Sequence, residues 1–229
     1  MMIGGLQKFS LIDYPGKISA IIFTIGCNFR CSYCYNQDLV IPSKFRKDIP
    51  IDEIYDFLES RKGKLDAICI TGGEPTLHND LTEFIRNIKK MGFLVKLDSN
   101  GTRPEVLENL IQENLVDYFA MDIKAPFSKY RDVVNYSLNT DNIKKSIDII
   151  MNSGIDYEFR TTIEKSMLTE NDIFEIVDQI IGAKKYYLQM FRNTDPNNSE
   201  FNKFSSYSKL ELENLILKFK DKLEFCQVR

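Results

Sequence analysis

The chain has 229 residues, 43% of them hydrophobic and 28% charged, with a net charge of −3 and its lysines and arginines spread rather than clustered. That balance fits one soluble globular domain, residues 1–229, with a sizeable core, and it argues against a nucleic-acid surface. No apolar run approaches the ~20 residues that cross a bilayer, and the first ten residues lack the basic start and apolar centre of a signal peptide, so a cytoplasmic location with no membrane partner is expected.

Leu11-Ile12-Asp13-Tyr14 runs into Pro15-Gly16, a turn in which proline presets φ and glycine accepts the strained position after it. Residues 18–25 are short, β-branched and nearly all apolar, the pattern of a strand buried on both faces. A loop over 26–36 follows and carries Cys27, Cys31 and Cys34. Ile54, Phe57 and Leu58 form a helical stripe within 52–61, and Gly63 stops it. Residues 65–71 read as a second buried strand, with Gly72-Gly73-Glu74-Pro75 beyond it. A helix over 80–91 is expected next, capped by Asn79 and closed by Gly92.

The third strand, 93–97, ends at Asp98-Ser99-Asn100-Gly101. Pro104 opens the following helix as a first-turn proline, with Leu107, Leu110 and Ile111 inward. The fourth strand, 118–123, ends in Asp122-Ile123-Lys124, and a polar connection leads to a helix over 141–152. A fifth strand over 157–163 carries Arg160, and Thr169 caps a helix over 170–181. Gln189 lies in the sixth strand, 185–190. The loop 191–206 is long for a compact domain, and a last amphipathic helix is expected over 208–223.

Six strand–helix alternations imply an α/β fold with a parallel, barrel-like sheet. The unusual residues fall at the strand exits, which form the rim where barrel enzymes build their sites. One pocket is therefore expected.

Three cysteines within eight positions suggest a metal site. A cubane cluster normally takes four cysteines, so three leave one iron open to a small molecule. A Cys3His zinc site using His78, the sole histidine, and a loop of free thiols are the alternatives. The lack of a second cysteine pair favours the cluster. Cys69 and Cys226 read as small buried side chains, and His78 as a cap or surface residue. Gly72-Gly73 allows close ligand approach to the main chain, with Glu74 suited to an amine; the alternative is a plain turn. Asp98 and Asp122 beside Lys124 could hold a cation or orient a charged ligand, or form a solvated network. Arg160 needs a partner, either a ligand carboxylate or an internal acid, Glu158 or Asp122. Tyr33 could lay its ring on a flat base, or simply pack.

Cys27-x3-Cys31-x2-Cys34, with Tyr33 before the last cysteine, and Gly72-Gly73-Glu74-Pro75 resemble the cluster and amine-binding motifs of the radical S-adenosylmethionine (SAM) superfamily. Gly5-Leu6-Gln7-Lys8-Phe9-Ser10-Leu11-Ile12-Asp13-Tyr14-Pro15-Gly16-Lys17, and Phe23-x2-Gly26-Cys27-Asn28-Phe29-Arg30-Cys31 after it, resemble the anaerobic ribonucleoside-triphosphate reductase activating proteins, relatives of pyruvate formate-lyase activating enzyme.

The resemblance implies a partial (β/α)6 TIM-like barrel, a [4Fe-4S] cluster on the three cysteines and SAM as cosubstrate. By the same likeness Gly72, Gly73 and Glu74 would receive the SAM amine, Lys124 and Arg160 its carboxylate or ribose, and the 188–190 backbone around Gln189 its adenine. Asp98, Ser99, Met121 and Asp122 match the part of activating enzymes that holds a monovalent cation. The implied reaction takes an electron from a donor such as flavodoxin or ferredoxin and cleaves SAM. The 5′-deoxyadenosyl radical then takes a hydrogen from a glycine of a glycyl-radical enzyme, here an anaerobic ribonucleotide reductase. Tyr35 stands where many activators have histidine, which leaves the branch open. The alternatives are a small-molecule enzyme like 7-carboxy-7-deazaguanine synthase, and a zinc-stabilised module without catalysis. The loop 191–206 is a candidate docking surface.

Overall fold

The computed structural model describes residues 1–193 and 201–229. It begins with a strand that the apolar pattern does not announce. β1 (Ile3–Ser10) contains two glycines and a polar stretch, and it pairs antiparallel with β2 (Ser19–Thr24). A half-exposed edge strand needs no continuous apolar run, which is why its sequence reads as a loop.

From β2 onward the predicted alternation holds. α1 (Gln37–Val40) and α2 (Ile51–Glu59) lead to β3 (Ala67–Gly72), and α3 (Leu81–Lys90) to β4 (Leu94–Ser99). α4 (Pro104–Gln112) leads to β5 (Tyr118–Asp122), then α5 (Tyr130–Val134) and α6 (Thr140–Asn152) to β6 (Asp156–Ile163). α7 (Glu170–Gln179) precedes β7 (Tyr186–Met190), and α8 (Lys209–Leu217) precedes β8 (Cys226–Val228). The eight strands form one sheet in chain order, parallel from β2 to β8. Among the described residues β1 and β8 are its two free edges, so the partial barrel has a seam. No described helix is long and apolar enough to cross a membrane.

Several boundaries differ from the sequence reading. Asp80 rather than Asn79 precedes α3 and makes no side-chain cap; its carboxylate instead meets the Met1 amine. Thr169 does cap α7, in a reciprocal box with Asp172. The expected helix over 208–223 stops at Leu217; a 3₁₀ turn (Lys220–Lys222) and then β8 replace its end, so Cys226 sits on an edge strand and is only partly buried. α5 lies inside the expected polar connection and ends on Asn135 in the left-handed region, φ 45°.

Strand periodicity decides what the helices cover and what lines the barrel. Val95, Leu97, Phe119, Met121, Tyr157 and Phe159 are buried in the main core, which also takes Leu107, Ile143 and Ile147 from α4 and α6. The alternate positions Lys96, Asp98, Asp122, Glu158 and Arg160 share the inner face, where ordinary barrels carry branched aliphatics. Register places Asp122 beside Arg160 on adjacent strands.

Candidate active site

The strand exits surround a cavity of about 620 Å³. Its lining includes Cys27, Cys31, Tyr33, Cys34, Gly72, Gly73, Glu74, Asp98, Ser99, Asp122, Lys124, Arg160 and Gln189. Of the residues assigned to the cluster, SAM or cation sites from sequence, Met121 alone stays out. It shares the outward face of β5 with Phe119, fully buried, and its methyl lies where a Cβ on Gly101 would be 2.0 Å away.

Backbone bonds stitch the cysteine loop to the β3 exit. Gly73 N donates to Thr24 O at 2.9 Å and Glu74 N to Gly26 O at 2.7 Å. The approach is so close that a Cβ on Gly73 would meet Gly26 O at 1.9 Å. Gly72, at φ 114°, is equally confined by the Thr24 backbone, and Asn36 Nδ2 donates to its carbonyl at 3.1 Å. These glycines therefore bring two loops together, a requirement that a plain turn would not have.

The three thiols sit in low-dielectric surroundings. Burial, with Glu74 adding to it, pushes Cys27 up to about 12; burial also takes Cys31 to about 11 despite Lys124, and raises Cys34. Such thiols stay protonated at neutral pH unless a metal takes the proton's place. Phe29 N points at Cys27 Sγ, 3.4 Å away, the kind of backbone donor that stabilises metal-bound sulfur. Beside it, Asn100 Nδ2 donates to Asn28 Oδ1 at 2.8 Å, and Asn28 Nδ2 to Thr102 Oγ1 at 3.0 Å. Tyr33, at 4% exposed, keeps its hydroxyl buried without a hydrogen-bond partner among the described residues. Three partly buried thiols with a backbone donor fit an iron–sulfur cluster. His78 does not complete a zinc set: its Nε2 is bonded to Ile25 O at 2.9 Å, and it lies outside the cavity lining. Nor do any three His, Cys, Asp or Glu among the described residues close on one ion-sized point.

Glu74 already carries hydrogen bonds within the protein. The carboxylate is 1% exposed and filled by the chain's own donors: Thr76 N at 3.1 Å, Thr76 Oγ1 at 2.5 Å and Ser99 Oγ at 2.9 Å on Oε1, with Asn100 N at 2.6 Å on Oε2. It ties the β3 exit to the β4 exit. Burial raises its pKa, with those four neutral donors opposing. Glu74 lines the cavity and its Oε2 accepts a single one of those bonds, so an amine at this end meets main chain and a carboxylate oxygen.

The opposite wall is ionic. Arg160 reaches Asp122 with Nε at 3.0 Å and Asp98 with Nη1 at 3.1 Å, Lys124 Nζ donates to Asp122 at 3.1 Å, and Lys96 pairs with Asp98. Burial alone would raise both carboxyls, yet Arg160 and Lys124 hold Asp122 at about 2, and Arg160 and Lys96 hold Asp98 below its usual range. Of the internal partners foreseen for Arg160, Asp122 is the close one and Glu158 lies farther away at 3.9 Å, while Asp98 was not foreseen. At the four positions expected to hold a monovalent cation, Asp98 and Asp122 are ion-paired, Ser99 Oγ donates to Glu74, and the Met121 side chain faces the core.

Sequence reasoning passed over Lys96, Asn36, Asn100 and Arg229. A lysine in an otherwise apolar strand, two places before an aspartate, was the available signal for Lys96. Arg229 had none; it forms a two-pronged pair with Glu158 at 2.9 and 3.1 Å and stacks 3.3 Å over Tyr187. Tyr35 stacks on Phe191 with centroids 5.7 Å apart and planes 10° apart, and Arg192 N donates to its hydroxyl at 2.8 Å. Phe191, Phe201 and Phe204 pack around it, so the described ends of the 191–206 loop turn their rings inward; residues 194–200 of that docking surface lie outside the described residues.

Comparison with known proteins agrees with this geometry. Residues 21–188 match the Radical SAM superfamily. A Methanocaldococcus jannaschii protein named as a glycyl-radical enzyme activating enzyme is 38% identical over 222 residues, covering 93% of this chain and 90% of its own. The 7-carboxy-7-deazaguanine synthase of Thermoplasma acidophilum is 28% identical over 181 residues, covering 74% and 83%. The crystal structure of Streptococcus suis SuiB bound to S-adenosylmethionine superimposes with a TM-score of 0.68 at 16% identity, over 91% of this chain and 51% of that one.

Proposed function

This chain belongs to the radical SAM superfamily, whose cofactors are a [4Fe-4S] cluster and SAM, and on that premise we propose that it is an activating enzyme for a glycyl-radical enzyme, in first place an anaerobic ribonucleotide reductase. When bound, the cluster and SAM together supply a 5′-deoxyadenosyl radical able to take hydrogen from a glycine Cα. Cys27, Cys31 and Cys34 would hold three of the four irons and shed their protons in doing so. The Gly72-Gly73 main chain would orient the amine end of SAM, Lys124 and Arg160 its carboxylate or ribose, and the strand end around Gln189 its adenine. The Tyr33 ring, buried between two of the cysteines, excludes water from that side.

The observation that carries the choice of a polypeptide substrate is the seam. Asp13, in the loop between β1 and β2, and Arg229, just beyond β8, both line the cavity, so it extends from one free sheet edge to the other. A loop of a partner protein can enter such an opening sideways. The likeness to the M. jannaschii activating enzyme supports the same choice. A small-molecule reaction is the second reading, favoured by the likeness to 7-carboxy-7-deazaguanine synthase and by the charged inner wall. In a cytoplasmic setting a flavodoxin or ferredoxin would deliver the electron.

The deciding experiment mixes the reconstituted, reduced protein with SAM and its candidate reductase under anaerobic conditions and records electron paramagnetic resonance. The expected result is a glycyl-radical doublet. Rapid turnover of a small-molecule nucleoside precursor with no such doublet would select the second reading.

A further inference from the structure

The four carboxylate oxygens of Asp98 and Asp122 are each already held by a positively charged side chain. Lys96 Nζ takes Asp98 Oδ1, Arg160 takes Asp98 Oδ2 and Asp122 Oδ1, and Lys124 takes Asp122 Oδ2. A monovalent ion beside these acids would have to displace one of those donors and would meet three cations grouped around two carboxylates. At such separations like charges repel strongly in a partly desolvated site. Lys124 and Arg160 line the cavity and can turn toward a ligand. Lys96 is different: it is 3% exposed, does not line the cavity, and stands two residues before Asp98 on the same strand and face. Its ammonium is a permanent neighbour of Asp98.

We propose that Lys96 supplies, as part of the chain, the positive charge that a bound monovalent cation would supply at Asp98, so that SAM binding by this protein is indifferent to potassium and sodium. The proposal rests on reading the cavity as a SAM site, and its test separates the two. Cluster-loaded protein is compared in potassium, sodium and tetramethylammonium chloride at one ionic strength, by melting temperature and by the SAM dissociation constant. For the unaltered chain the melting temperatures agree within about 1 °C and the dissociation constants within about twofold. Lys96→Met keeps the apolar stem and removes the charge; this variant gains about 3 °C in potassium and binds SAM at least about fivefold more tightly there than in tetramethylammonium. Lys96→Gln serves as a second variant should Lys96→Met fail to fold. A potassium requirement in the unaltered chain overturns the proposal, and so does indifference of a folded Lys96 variant to all three salts. If neither variant folds, the salt comparison on the unaltered chain decides alone, indifference supporting the proposal. Failure to bind SAM in any salt sinks the SAM reading, while the melting temperatures still decide the cation question.

Discussion

The two walls of the cavity solve the same burial problem in opposite ways. On the wall built from the β2 and β3 exits, Glu74 is buried among neutral donors and its pKa is raised. On the wall built from β4, β5 and β6, Asp122 is partly buried, yet Arg160 and Lys124 hold it at about 2. Desolvation acts on both; the charge of the partners decides the sign. On the first wall burial favours the proton-bearing form, and the three thiols keep their protons until a metal displaces them. The second carries fixed charge at every physiological pH and can meet a charged ligand without proton uptake.

Removing chemistry from the first wall has the largest expected effect on function. Cys31→Ala abolishes iron–sulfur absorbance and SAM cleavage, while the melting temperature of the metal-free chain changes little, which separates a ligand from a packing residue. Gly73→Ala comes next: its Cβ would overlap Gly26 O, so it costs about 3 kcal/mol in urea unfolding and loosens the join between the cysteine loop and β3. The second wall is broken by acid rather than by sterics. A carboxyl with a depressed folded pKa contributes stability above its unfolded value, near 4, and loses it as pH falls toward the folded value. Unfolding free energy therefore drops by about 2 kcal/mol between about pH 4 and pH 2, and Asp122→Asn flattens that slope. Glu74, with its raised pKa, works against the trend over the range just above pH 4, where folded protein takes up the proton first. The smallest effect belongs to the rim: Tyr35→Leu forfeits the stack on Phe191 and costs about 1 kcal/mol by thermal denaturation.

The strands from β2 to β7 were legible because each keeps an apolar face under the helices, even where the other face carries charge into the barrel. Gathering of the cysteines, the double glycine and the acids at one rim followed from that alternation alone. β1 and β8 were not legible, since edge strands are half-exposed and β8 is only three residues long. Side-chain pairing was legible only as alternatives. Arg160 was known to need an anion, but its choice of Asp122 and Asp98 depends on strand register. The internal partners of Glu74 were not legible, because only the turn geometry brings Thr76, Ser99 and the Asn100 backbone to its carboxylate.

The claim on which all of this depends is that three partly buried thiols grip an iron–sulfur cluster with one iron left for SAM. Its most direct measurement is the yield of 5′-deoxyadenosine from protein reconstituted with iron and sulfide, given SAM and a strong reductant without oxygen. Stoichiometric or greater yield that disappears in Cys27→Ala is the predicted result. No 5′-deoxyadenosine, with the metal bound as tetrahedral zinc, contradicts the account.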